Sequence, residues 1–270
     1  MRRINWFAWL WFTLGALYFV LPLWGTLIFS LQKRRGVLSL DAYSAALGDP
    51  RFIETFVFSN LMAICTILAS LLLIVPTAYW VHLRMPRWRP VVEFVSLLPF
   101  VIPAIVLVFG FIKLYSKPIT LLGIPLFPSL TTSNLSTNVL LIAGYTVLSL
   151  PYMYRAVDNG LRAMDVGTLT EAAQSLGAGW WTILWRIILP NLRTALLSGA
   201  LLTFAIVVGE LTIATFLARP AFGHYLALLG NHRAYEPAAL AIVSFLLTWV
   251  AMGLIDRVTR STQDVVASSH

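Results

Sequence analysis

The sequence predicts an all-α membrane protein, a single domain of six transmembrane helices, and three observations carry that expectation. Hydrophobic residues make up 59% of the 270 positions and charged residues only 11%, against about 25% charged in an ordinary globular domain. With a mean hydropathy of +0.82, the apolar residues fall in several runs close to the roughly 20 residues that cross a bilayer as a helix. The one cysteine, Cys65, sits inside such a run, so the chain shows neither a disulfide framework nor metal-ligand spacing.

The first span, residues 6–31, opens on aromatics suited to a membrane interface and carries Pro22, which a spanning helix tolerates. Its apolar stretch is too long for a signal peptide and no small-residue cleavage site follows, so it is expected to stay in the mature protein. The next spans are residues 56–83, then 91–114 with Pro99 and Pro103, then 138–154 with Pro151, then 194–217 and 237–255. The three later prolines free backbone carbonyls that line a cavity or let a helix bend. As translocation-path hinges or as ordinary kinks, they fit equally.

Placing the N-terminus inside puts the larger share of the 19 Lys and Arg on the cytoplasmic side, among them Arg84, Arg87, Arg89, Arg155, Arg162, Arg186 and Arg193. Both termini are therefore expected in the cytoplasm. Lys33, Arg34 and Arg35 run against this rule, as a contact for an acidic partner or as a solvated loop. The net charge of +8 is dispersed rather than clustered on a soluble domain, which points to anionic headgroups and away from nucleic acid.

With this topology the longest cytoplasmic loop covers about residues 158–190. Thr168 and Glu171 have the spacing of a capping box, Thr168 accepting from the Glu171 N–H at the start of a helix. Ala172, Ala173 and Leu176 share one side of that helix, opposite Glu171, Gln174 and Ser175. Gly177 is the expected left-handed stop, needed where a Cβ would clash. Beyond it, Trp180 to Leu189 reads as a helix along the membrane interface, ending at Pro190. Asp158 and Asp165 flank the loop and shape it through turn or cap bonds.

Glu171-Ala172-Ala173, then Gly177, Ile187 and Leu189-Pro190, resemble at every position the EAA loop of the permease subunits of bacterial ABC importers. Ser149-Leu150-Pro151-Tyr152 and Leu97-Leu98-Pro99-Phe100-Val101-Ile102-Pro103 resemble the short permeases of the spermidine/putrescine type. The resemblance implies the type I importer permease fold in a bacterial inner membrane, with the loop as a coupling helix docked on an ATPase subunit dimer. It also implies a second permease, a sister chain rather than an identical one, and a periplasmic or lipid-anchored substrate-binding protein. That protein would meet residues 219–236 and the loop after Lys117. No phosphate-binding G-x-x-x-x-G-K-[ST] loop occurs in the chain, so ATP and Mg are expected in the partner, with no cofactor and no catalysis here.

Ionisable residues inside a membrane are costly and usually functional. Glu210 falls mid-span on a stripe with Gly199, Thr203, Ile206 and Ala214, where it either attracts a cationic substrate, or bonds a neighbouring helix or stays protonated. Glu93 is expected to pair locally with Arg87 or Arg89. A polyamine or similar small cation is the expected cargo. Importers of iron(III), thiamine, phosphonate, sulfate or molybdate are the alternative, because the Gly-Glu pair also resembles several of those. A membrane protease lacks support: there is no H-E-x-x-H, and His82, His224, His232 and His270 are placed in loops or the tail. A secondary carrier or channel is a more distant reading, since neither inverted repeats nor paired intramembrane charges stand out.

Overall fold

A computed structural model describes residues 6–33, 37–121 and 124–267. The helices in chain order are α1 (Trp6–Leu31), α2 (Asp41–Leu47), α3 (Pro50–Arg84), α4 (Arg89–Val101), α5 (Ala104–Tyr115), α6 (Asn134–Arg162) and α7 (Val166–Ser175). They continue as α8 (Trp180–Ile183), α9 (Leu189–Asn191), α10 (Arg193–Gly209), α11 (Thr212–Phe216), α12 (Phe222–His232) and α13 (Tyr235–Ala267). The all-α expectation holds apart from a small antiparallel hairpin, β1 (Ile119–Leu121) and β2 (Ile124–Phe127), in the loop after Lys117.

Among the described residues three helices, α1, α3 and α6, are long and apolar enough to cross a membrane unbroken. Two more spans arise if each bent pair counts once, and Tyr235–Val250 is a shorter apolar stretch. The third expected span is one of these pairs: α4 and α5 meet at 99°. The cause is local. Ile102 precedes a proline and is extended, with ψ 115, because the proline ring crowds the helical conformation of the residue before it; Pro103 then heads α5. Pro99 and Pro151, in contrast, lie inside α4 and α6 without ending them.

The described residues form two compact units. One lies within Met1–Glu54 and Tyr225–Leu254, the other within Thr55–His224 and Ile255–His270. In the first, α1 is exposed almost throughout, with 6% of its spanning window buried, as a lipid-facing helix must be. Its end is tied down by polar bonds: Ser30 to Tyr43 at 2.7 Å and Lys33 Nζ to Glu236 Oε1 at 2.8 Å. Lys33 is therefore spent inside the chain rather than offered to a partner. Arg34 and Arg35 lie outside the described residues.

In the second unit α6 and α10 pack through small residues. A Cβ on Gly160 would come within 2.6 Å of Leu192 and 2.8 Å of Ala195, and one on Gly199 within 2.8 Å of the Met153 sulfur. Close backbone approach is how helices associate where lipid supplies no hydrophobic drive. The core at one end of this packing joins Val75, Ala78 and Tyr79 of α3, Met153, Val157 and Leu161 of α6, Ala173 of α7, and Ile183, Leu184 and Ile188 beyond it. Because α6 runs to Arg162, Asp158 belongs to a spanning helix and not to the loop expected over residues 158–190.

Candidate functional site

The polar segment between α6 and α10 opens with a correction. α7 starts at Val166, and Asp165, not Thr168, is its cap: Asp165 Oδ1 accepts from the Thr168 N–H at 3.1 Å. Thr168 Oγ1 donates to Asp165 Oδ2 at 2.7 Å. The two bonds from Thr168, the hydroxyl's first, hold the Asp165 carboxyl below its ordinary pKa by stabilising the charged form. The Asp-x-x-Thr spacing carried that signal as plainly as Thr-x-x-Glu.

The helix stops as expected. Gly177 has φ +82; its N–H donates to Gln174 O at 2.9 Å, and the Ala178 N–H to Ala173 O at 3.0 Å. This pair of bonds is the Schellman closure, which puts the residue after the cap in the left-handed region. No neighbouring atom lies within 4 Å of a Cβ built at Gly177. Its glycine is needed for backbone conformation, not because of a clash with another part of the fold.

The faces of α7 also differ from expectation. Ala173 is buried with Val166 and Thr170, and Thr170 Oγ1 shares a 2.9 Å hydrogen bond with the buried Tyr79 hydroxyl of α3. Ala172 and Glu171 are exposed, and Leu176 is 89% exposed. A leucine so presented on a helix fixed at both ends is an apolar knob without a socket among the described residues. Trp180–Asn191 then runs as one helical segment with a π turn over Leu184–Ile188. Ile183, Leu184 and Ile188 face the core while Trp181, Trp185 and Arg186 face out. Ile187 and Leu189 are half-buried and Pro190, inside the short α9, is exposed.

Behind this segment lies a charge cluster that sequence reading missed. Asp158, 4% exposed, accepts from Arg162 Nε at 2.7 Å. Its other oxygen lies 3.3 Å from Arg89 Nη2 and 3.6 Å from His82 Nε2. His82 is in the last turn of α3 rather than in a loop. Glu93 pairs with Arg162 at 3.4 Å, not with Arg87 or Arg89. One buried carboxylate thus ties together the ends of α3, α4 and α6. The Asp158–Arg162 spacing of four was the available signal.

Glu210 is not within a continuous helix. It is extended, with ψ 131, at the break between α10 and α11. Its Oε1 accepts from the Thr212 N–H at 2.7 Å and its Oε2 from the Ile213 N–H at 3.0 Å. The carboxylate caps N–H groups two and three residues on, donors that a five-residue helix leaves free. Thr203 is fully buried, and Pro99 lines a cavity of about 290 Å³ with Val95, Leu98, Ile102 and Val147, an apolar setting. His224 is in α12 and bonds Thr215 at 2.8 Å.

Apolar helices of spanning length, close helix packing through small residues and a capped polar helix between α6 and α10 mark an integral membrane protein. Residues 75–263 match the family model described as binding-protein-dependent transport system inner membrane component, and the chain belongs to that family, the non-catalytic permease subunits of ABC importers. It is 29% identical over 205 residues, covering 75% of this chain and 69% of the relative, to a probable sulfate transport system permease protein cysT of Chlorokybus atmophyticus. It is 28% identical over 176 residues, 64% of this chain and 59% of the relative, to the spermidine/putrescine permease PotB of Haemophilus influenzae. A molybdate/tungstate permease, WtpB of Thermococcus kodakarensis, is 29% identical over 206 residues, with 74% and 77% covered. Among solved structures, a bacterial ABC transporter for import of alginate superposes with a TM-score of 0.71 at 17% identity, over 95% of this chain and 96% of that one. The type I importer permease fold is therefore shown.

Proposed function

We propose that this chain couples ATP hydrolysis in a separate ATPase dimer to import, with α7 as the docking element and both termini in the cytoplasm. The carrying observation is the presentation of α7: rigidly capped at Asp165 and Gly177, bonded inward through Thr170, and displaying Leu176 at 89% exposure. A fixed helix with one projecting apolar side chain suits insertion into a cleft, where a buried anchor supplies most of the contact energy. Glu171 beside it offers a charge-assisted contact to a basic residue of the partner. The remaining assembly, a sister permease and a substrate-binding protein on the opposite face, follows the same reading.

For cargo we propose a polyamine or similar small cation, supported by the likeness to PotB and to the short permeases of that type. Glu210 lends it no support, since its carboxylate is occupied by backbone N–H groups. Sulfate and molybdate remain the competing cargo, on relatives of equal similarity.

The test is the assembled complex in liposomes with its binding protein and ATPase. Leu176→Asp is expected to uncouple ATP hydrolysis from transport while leaving the permease as thermally stable as wild type, because the side chain touches little of its own fold. Unchanged coupled transport would overturn the docking role. Stimulation of ATP hydrolysis by spermidine or putrescine supports the cargo, whereas stimulation by sulfate or molybdate alone overturns it.

A further inference from the structure

We infer that the groove between the end of α3 and the α7–α8 corner is a binding site for one anionic phospholipid. The groove has a volume of about 740 Å³, inside the roughly 300–1,000 Å³ range of small-molecule sites. Pro76, Trp80, Leu83 and Trp180 supply its apolar lining, and Thr77, Arg84 and Gln174 its polar groups. A mostly apolar lining that includes one guanidinium, from the last turn of α3, is the complement of an acyl chain below a phosphate headgroup.

Two observations select a lipid over a protein segment. Trp80 is 59% exposed and Trp180 39%, and indole rings so placed sit at headgroup level. Arg84 lies in the last turn of a spanning helix and has no carboxylate within ion-pair distance among the described residues, whereas nearby Arg89 and Arg162 are both paired. An unpaired guanidinium at the end of a membrane helix, above an apolar cleft, attracts an anionic headgroup, and basic pockets between spanning helices hold such lipids. Arg87, exposed and equally unpaired among the described residues, adds to the field.

The groove touches α7 through Gln174 and the corner after Gly177 through Trp180. A bound lipid would brace the coupling segment against α3 and adjust its response to the ATPase. This consequence, not the binding, rests on the proposed role of α7.

The test uses the assembled permease–ATPase complex, delipidated in neutral detergent and titrated with dioleoylphosphatidylglycerol, with adducts counted by native mass spectrometry. One tightly retained phosphatidylglycerol is expected. Arg84→Gln should weaken it about fivefold, as expected for one surface arginine, and Trp80→Ala should weaken it without regard to charge. Both side chains are exposed, so neither change threatens folding. Dioleoylphosphatidylcholine should bind equally to wild type and Arg84→Gln. Equal phosphatidylglycerol retention by all three proteins, retention only when the ATPase is absent, or displacement by free glycerol phosphate would each overturn the site. If retention is lost in the variants but ATP hydrolysis is unaltered in vesicles with and without phosphatidylglycerol, the lipid site stands and the bracing of α7 falls.

Discussion

Gly177 and Ala218 form a matched pair. Both follow the last turn of a short helix, Gly177 at φ +82 and Ala218 at φ 52. Both are closed by the same two bonds: at the second helix the Ala218 N–H donates to Thr215 O at 3.1 Å and the Arg219 N–H to Ala214 O at 2.8 Å. An L-residue in the left-handed region costs about 1–2 kcal/mol, while replacing glycine with alanine restricts the unfolded chain and returns about 0.4–1 kcal/mol. Because a Cβ at Gly177 meets nothing within 4 Å, no packing cost is added. Gly177→Ala should therefore destabilise by only about 1 kcal/mol, a thermal shift of roughly 2–4 °C for a chain of this size. Gly177→Asn should fall between the two, since asparagine tolerates this conformation better. The reverse change, Ala218→Gly, should raise stability by a similar amount, about 1 kcal/mol. Differential scanning fluorimetry in detergent reads the global shift, and hydrogen exchange at the Ala178 amide, the donor to Ala173 O, reads the local one. A loss above about 3 kcal/mol in Gly177→Ala, or the same loss in Gly177→Asn, would refute the backbone argument and reinstate a steric one.

Asp158→Ala should destabilise by about 2–3 kcal/mol. That is less than the 3–5 kcal/mol for breaking a fully buried pair, because the Arg162 and Arg89 side chains, 49% and 27% exposed, can turn toward water; urea unfolding of the purified permease checks it. Tyr79→Phe removes a buried bond and strands the Thr170 hydroxyl, costing about 1–3 kcal/mol, seen as faster exchange across α7. Asp165 is a carboxyl with a depressed pKa, so its capping contribution is complete above the ordinary value of 3.8 and is lost as pH falls through the folded value. Exchange at the Thr168 amide, corrected for intrinsic rate, should accelerate only in that acid range in wild type and at all pH values in Asp165→Ala.

Composition and apolar run length made the membrane class and most helix positions legible, since both depend on residues counted in bulk. The chain reversal at Gly177 was legible because one residue type dictates the backbone there, whereas Pro103, which heads a new helix, reads in sequence like Pro99 and Pro151, which stay inside theirs. The starting point of α7 was not, because Asp165 and Thr168 are both competent caps and three residues separate the two solutions. The continuous reading of residues 194–217 failed at Glu210 for a related reason. Helical periodicity placed the carboxylate on an inner stripe, but its lone pairs are better used on the N–H groups of Thr212 and Ile213, and the helix breaks to let them meet. Of the Asp158 partners only Arg162, four residues on, shows in a local pattern; Arg89 and His82 lie 69 and 76 positions away, where no local pattern reaches.

The arrangement of α7 bears on how force would enter the membrane. Its outer face is unsupported, with Leu176 projecting, but its inner face is joined to α3 by the Tyr79–Thr170 bond and to α6 and the π-turn segment through the shared core. The ends of α3, α4 and α6 are in turn bound by Asp158. On the proposed coupling role, a load at Leu176 is therefore delivered to three helices together and not to α10 alone through its chain connection. Tyr79→Phe and Asp158→Asn cut that linkage at separate places without touching the docking surface. Each should lower transport per ATP hydrolysed while leaving ATPase affinity for the permease intact. Loss of affinity in either variant would mean that these groups merely hold the shape of α7.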